Sequence, residues 1–79
     1  MSEEVKPDRT LDALGLYCPI PVFRAKGEMD KLASGQILEV LADDPAAEED
    51  IQRWSKRLGH RVLKVEKRGQ MIRFLVKKG

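Results

Sequence analysis

The stretch over residues 36–42 constrains this chain most, because it is apolar at alternating positions on both faces apart from Glu39. A strand with two apolar faces belongs inside a sheet, where both faces are covered. Asp43-Asp44-Pro45 follows directly, and a carboxylate before a proline is a strong signal for a helix start. We therefore predict a central strand that leads straight into a helix.

A strand–helix unit precedes this one. Residues 9–14 alternate between polar and apolar and end at Gly15, which predicts a strand. A helix is predicted from Pro21, because proline at the first helical position loses only an amide that has no partner there. Ser34-Gly35 is predicted to end this helix, with Gly35 as a left-handed cap. The apolar residues at helical spacing are Val22, Ala25, Met29 and Leu32.

The part after Pro45 predicts a second helix and a hairpin. The helix would place an apolar stripe on the sheet and end at Gly59. Residues 61–67 and Met71–Lys77 then alternate as two strands around the short turn Arg68-Gly69-Gln70. The predicted stripe is Ala47, Ile51, Trp54 and Leu58, and the predicted inward strand residues are Leu63, Val65, Ile72, Phe74 and Val76.

The predicted element order is therefore β-α-β-α-β-β. Right-handed crossovers after the first two strands would place both helices on the same side of the sheet. The expected fold class is an α/β (α+β) two-layer sandwich, a four-stranded mixed sheet with both helices on one face. The open face would contain Glu39, Lys64, Glu66, Arg73 and Leu75.

Length and composition limit the function. A chain of 79 residues can build one core, so we predict a disordered tail over residues 1–7 and a single domain over residues 8–79. The net charge of +2 is too small to indicate a polyanionic partner. No apolar run approaches the roughly 20 residues of a membrane span, and the acidic start is unlike a secretory signal. We expect a cytoplasmic protein with no membrane partner.

Cys18, in the run Cys18-Pro19-Ile20-Pro21, is the one candidate for covalent chemistry. Pro19 favours an extended backbone at Cys18, and Pro21 favours a helix start just downstream. The sulfur would then lie near a helix N-terminus, where we expect its anionic form to be favoured and the thiol pKa to be lowered. Arg24 and Lys26, early in that helix, could support an anionic sulfur species.

The residue types exclude several kinds of thiol chemistry and leave others open. One cysteine cannot form an internal disulfide or run a dithiol cycle, and one cysteine with one histidine cannot build a closed zinc site. We expect neither metal nor organic cofactor. His60 is expected to be a turn residue rather than a base for Cys18. A buried, unreactive cysteine and an exposed group carrier both remain open.

Two further function classes compete with a group carrier. The basic C-terminal hairpin could make the chain an RNA-binding module, although aromatic residues for base stacking are few. Cys18 could instead sense oxidants in a thiol-based redox regulator. Uptake of sulfur from a donor enzyme would separate a carrier from both.

The segment Leu11-Asp12-Ala13-Leu14-Gly15-Leu16-Tyr17-Cys18-Pro19-Ile20-Pro21-Val22 resembles the LDxxGLxCPxPV signature of the TusA/SirA family of sulfur carriers. Asp43-Asp44-Pro45 is similar to a second family motif, and the resemblance extends from about Thr10 to Lys78. Gly27 departs from the helix-forming residue usual in the family.

The resemblance implies the same βαβαββ sandwich and a sulfurtransferase of the carrier type. Cys18 would accept sulfane sulfur as a persulfide, with Pro19, Pro21, Arg24 and Lys26 in supporting roles. The implied partners are a cysteine desulfurase or rhodanese-type sulfur donor and a downstream sulfur-relay protein. In family members the sulfur reaches 2-thiouridine in tRNA, so tRNA would be only an indirect partner; others serve molybdenum-cofactor formation or sulfur oxidation.

Overall fold

The computed structural model describes residues 6–79 and has the predicted element order. Of the tail predicted over residues 1–7, the first five lie outside the described residues, and Lys6 and Pro7 belong to no regular element. The elements are β1 (Arg9–Ala13), α1 (Ile20–Met29), β2 (Ile37–Ala42), α2 (Ala46–Arg57), β3 (Arg61–Arg68) and β4 (Met71–Lys77).

The four strands form one mixed sheet in the order β1-β2-β4-β3. β1 pairs with β2 in parallel, and β4 pairs antiparallel with both β2 and β3. The prediction of β2 as a central strand is confirmed, as is the α+β sandwich. No helix in the described part of the chain is long and apolar enough to cross a membrane.

One face of the sheet and both helices share a single core. Ala25 and Met29 from α1 and Ile51 and Trp54 from α2 pack in the same buried cluster. Each strand contributes to this core the side chains on one of its faces, because alternate residues of a strand point to the same face. These strand residues are Leu11, Ala13, Leu38, Val40, Ala42, Ile72, Phe74 and Val76.

The first helix ends earlier than the sequence predicts. α1 stops at Met29, and the chain continues as turns in which the Leu32 amide donates to the Met29 carbonyl at 3.0 Å. Gly35 does adopt a left-handed backbone, with φ of +90°. Its amide, however, donates to the Lys78 carbonyl at 2.8 Å. The prediction of Gly35 as a helix cap is therefore wrong, because its conformation serves the turn that lays β2 beside the end of β4.

Two apolar residues predicted to face the core are instead exposed. A register shift between Val62 and Lys64 inserts an extra residue in β3, so Leu63 leaves the alternation and is 39% exposed. Val62 packs against the core in its place. Leu58 is 48% exposed because α2 ends at Arg57, and Ser55 is buried within the last turn. Both predictions were wrong.

The open face of the sheet contains an ion network around Arg73. Its guanidinium pairs with Glu39 of β2 and with Glu66 of β3, the latter at 3.2 Å. Glu39 also accepts a hydrogen bond from the Thr10 hydroxyl at 2.9 Å. Leu75, predicted on this face, is only 2% exposed. Charged side chains thus cover part of a face that neither α1 nor α2 covers.

Replacing Arg73 by Met should lower the free energy of unfolding by roughly 1–2 kcal/mol, because Glu39 loses its charged partner in a half-buried position. Arg73 holds the pKa of Glu39 below its usual range. The contribution of the Arg73–Glu39 pair to stability is therefore present above the ordinary carboxyl pKa, and it is lost as pH falls through the lowered pKa of Glu39. Urea unfolding at pH 7 and pH 3 measures both effects. Arg68→Met, at an exposed pair, is the control and should cost clearly less than Arg73→Met. Equal losses in the two variants would contradict the assignment.

Candidate functional site

The loops that precede α1 and α2 meet at one edge of the sheet. β1 and β2 are parallel, so their carboxyl ends, and the helix starts that follow them, lie on the same side. Two side-chain bonds join the loops. The Gly15 amide donates to Asp43 Oδ1 at 3.0 Å, and the Cys18 amide donates to Asp44 Oδ2 at 2.7 Å. The segment with the cysteine is therefore fixed by the Asp-Asp pair of the next unit.

Asp44 binds both loops with one carboxylate. While Oδ2 accepts the Cys18 amide, Oδ1 accepts the amide of Ala46, the first residue of α2, at 3.1 Å. Pro45, immediately before α2, makes no side-chain cap bond. The carboxylate cap predicted for this helix thus comes from Asp44, and it also positions the backbone of Cys18.

Cys18 lies two residues before α1 and is exposed. Its peptide bond to Pro19 is cis. The Pro19 carbonyl accepts the amide of Val22 at 3.2 Å, and α1 begins at Ile20, one residue earlier than predicted. Pro21 is buried in the first turn of that helix. The two prolines therefore flank the position at which the loop becomes a helix.

The thiol of Cys18 contacts a carboxylate of α2. Sγ lies 2.6 Å from Asp50 Oδ2, and the Asp50 side chain is only 20% exposed. This hydrogen bond raises the pKa of the Cys18 thiol; loss of hydration and the charges of Asp50 and Asp44 act in the same direction, and Arg53 opposes them. The predicted lowering of the thiol pKa is wrong, because the hydrogen bond to Asp50 and the two nearby carboxylates favour the protonated thiol.

An open groove of about 230 Å³ surrounds the sulfur. This volume is below the roughly 300–1,000 Å³ of small-molecule sites, so the groove fits a small group on the sulfur better than a separate ligand. Both helices contribute to it. The lining residues are Cys18, Pro19, Val22, Asp50, Arg53, Trp54 and Arg57.

The two cations predicted near Cys18 do not line this groove. Arg24 and Lys26 are exposed on α1, and the Lys26 ammonium lies 3.3 Å from Asp30 at the end of that helix. Arg53 and Arg57 of α2 lie in the groove instead. The Arg53 guanidinium lies 3.8 Å from Asp50 Oδ1, the carboxylate oxygen that does not contact the sulfur. The structure thus places the nearby positive charge on the second helix.

Sequence reasoning missed Asp50, Arg53 and Arg57 as site residues. Asp50 and Arg53 each lie one position before a buried residue of α2, Ile51 and Trp54 respectively. Arg57 lies three positions after Trp54, so the three side chains share a face of α2 next to its buried residues. That spacing, together with the parallel pairing of β1 and β2, was the available signal.

Other candidate chemistry is absent from the described site. His60 packs against Trp54 with ring centroids 5.3 Å apart, and its Nδ1 accepts the Gly79 amide at 3.0 Å. Residues 6–79 contain no group of three or more His, Cys, Asp or Glu side chains that could bind a metal ion. The charged group in contact with the sulfur is thus the Asp50 carboxylate, and the guanidinium groups of Arg53 and Arg57 line the same groove.

Known proteins are similar to this chain in sequence over nearly its whole length. "Putative sulfur carrier protein YrkI" of Bacillus subtilis is 47% identical over 75 residues, which cover 95% of this chain and all of that protein. "Sulfur carrier protein TusA" of Allochromatium vinosum is 39% identical over 71 residues, 90% of this chain and 93% of the other.

A solved structure agrees with these relatives. The crystal structure of a SirA-like protein from Desulfitobacterium hafniense matches with a TM-score of 0.79 and 33% identity, over 90% of this chain and 97% of the other. Residues 9–78 match the family described as sulfurtransferase TusA. With its sheet order, its exposed cysteine directly before Pro19-Ile20-Pro21 and this match, the chain belongs to the TusA family.

Proposed function

We propose that this protein is a sulfur carrier that accepts sulfane sulfur as a persulfide on Cys18 and passes it to a partner protein. The observation on which this depends is the exposed Cys18 thiol, held at a helix start in an open groove. Relatives named as sulfur carriers support the assignment. A single exposed thiol without a second cysteine suits covalent carriage rather than a dithiol cycle.

The proposed loading step exchanges one sulfur–sulfur bond for another. The sulfur of Cys18 attacks the outer sulfur of a donor cysteine persulfide, and the bond between the two donor sulfurs breaks. The proton of the Cys18 thiol is released, and the donor cysteine leaves as a thiolate that takes up a proton. The sulfane sulfur keeps its oxidation state throughout, so the step needs no oxidant. Delivery is the same reaction in reverse, with an acceptor thiol as the attacking group.

The chain's own residues present the sulfur and accommodate its charge. The Asp44 carboxylate holds the Cys18 backbone by accepting its amide at 2.7 Å. Pro19 and Pro21 set the direction of the chain where α1 begins. We assign Arg53 and Arg57 to the anionic end of a persulfide, because both line the groove. Arg24 and Lys26 stay in the proposal as supporting residues, on the side of α1 that a docked partner can reach.

A docked donor or acceptor would meet an apolar rim beside the sulfur. Tyr17, the residue before Cys18, is 77% exposed. Phe23, in the first turn of α1, is 62% exposed. Exposed aromatic side chains of this kind are typical of protein contacts. We propose a cysteine desulfurase or rhodanese-type donor and a downstream relay protein as these partners, in the cytoplasm, with tRNA thiolation as one destination of the sulfur.

The structure offers less support to the RNA-binding alternative. An RNA-binding hairpin needs free positive charge, but Lys67 pairs with Glu48 at 2.8 Å and Arg68 pairs with Glu66 at 3.2 Å. The raised pKa of the Cys18 thiol disfavours oxidation and attack on a persulfide alike, so it does not separate a redox regulator from a carrier. Uptake of sulfur from a donor enzyme separates the two.

Incubation with a bacterial cysteine desulfurase and L-cysteine should add the mass of one sulfur atom to the protein. Cys18→Ser should gain none, because its hydroxyl cannot form a persulfide. Intact mass spectrometry under non-reducing conditions measures the addition, and a reducing thiol should remove it. Equal sulfur uptake by Cys18→Ser, or none by the wild type, would overturn the proposed function.

Iodoacetamide at pH 7 should alkylate Cys18 more slowly than it alkylates the same protein unfolded in urea. The thiolate is the reacting form, and the carboxylates of Asp50 and Asp44 raise the thiol pKa only in the folded chain. The folded rate should approach the unfolded rate as pH rises through the raised pKa. The rates are measured by mass spectrometry from pH 6 to pH 10. A faster folded rate at pH 7 would contradict the raised pKa of the folded thiol.

A further inference from the structure

The contact between Cys18 and Asp50 is unusual for a thiol that must accept a group. Activated thiols normally lie beside a cation or a helix N-terminus, which favour the thiolate. Here Sγ lies 2.6 Å from Asp50 Oδ2, and the carboxylate is mostly buried in α2. The hydrogen bond requires a proton on the sulfur, because an ionised carboxylate can only accept.

Loading the sulfur removes this hydrogen bond from Sγ. In a persulfide the inner sulfur has no proton, and the outer sulfur is one S–S bond of about 2.05 Å farther out. The outer sulfur therefore lies within about 5 Å of Asp50 Oδ2 if the carboxylate stays in place. A persulfide is a stronger acid than a thiol, so at neutral pH the outer sulfur is an anion facing another anion. Like charges at such a distance disfavour the charged form.

We infer that Asp50 makes Cys18 a releasing carrier: its carboxylate stabilises the empty neutral thiol and disfavours the anionic persulfide, so that sulfur is passed on rather than retained. This inference rests on the proposed function. Asp50 sets the equilibrium between empty and loaded Cys18, while the bonds that form and break are those of the loading step above. Arg53, 3.8 Å from Asp50 Oδ1, acts in the opposite direction by favouring the anion.

The charged groups around the sulfur come from two segments. Asp44 lies in the loop before α2, and its Oδ2 is occupied by the Cys18 amide. Asp50, Arg53 and Arg57 come from α2, while α1 contributes to the groove only the apolar Val22. Of the two carboxylates, Asp50 is thus the one in contact with the sulfur itself.

The test is an exchange equilibrium with a defined small molecule. Wild type and Asp50→Asn are incubated with a fixed ratio of glutathione persulfide to glutathione, and the loaded fraction is measured by intact mass. The loaded-to-empty ratio should be roughly fivefold higher in Asp50→Asn, the factor expected for one unit charge at about 4 Å in water. The pH profile of iodoacetamide alkylation should shift to lower pH in the same variant, which a merely structural role would not cause.

Two further variants make the result decisive. Arg53→Gln, at an exposed position, should shift both readouts in the opposite direction and covers the case in which Asp50→Asn does not fold. Glu48→Gln removes the same charge from the same helix, where it faces Lys67, and should match the wild type. If the wild type loads sulfur but neither Asp50→Asn nor Arg53→Gln changes the ratio, the inference fails alone. If the wild type gains no sulfur from the desulfurase either, the proposed function fails.

Discussion

The rest of the site depends on the carboxylate of Asp44, which binds two backbone amides at once. One amide belongs to Ala46, at the start of α2, and the other to Cys18, which lies 26 residues before Asp44. Because backbone amides left without partners are costly at helix starts, this arrangement stabilises the fold and places the cysteine with the same bonds. Gly15, with φ of +81°, lets the loop turn toward the neighbouring Asp43.

Side chains around the sulfur raise the pKa of the Cys18 thiol. Cys18 does lie at the start of α1, where the dipole favours an anion. Asp50 nevertheless contacts the sulfur directly, and this hydrogen bond, together with the charge of Asp44, favours the protonated thiol. Arg53 and Arg57 line the same groove. The groove therefore contains charges that act in opposite directions on an anionic sulfur: Asp50 disfavours it and Arg53 favours it.

Local patterns predicted the elements well, and interactions between distant segments limited the rest. β2 was predictable because its two apolar faces require a central position, and α2 because Asp44 and Pro45 signal its start. The bulge at Leu63 was not, since alternation in β3 continues through it and only the pairing with β4 shows the extra residue. Cys18 was found from the two prolines that follow it, whereas Asp50 lies 32 residues away and becomes a partner only through the parallel pairing of β1 and β2.

That distance makes the character of the thiol a property of the folded state. In the unfolded chain Cys18 has no carboxylate beside it, so its pKa is raised only on folding. By linkage, a group with a raised folded pKa contributes stability below its unfolded pKa and loses it as pH rises through the folded value. Folding therefore favours the protonated thiol. Converting that thiol to an anion, whether by deprotonation or by persulfide formation, works against the same contact that folding creates.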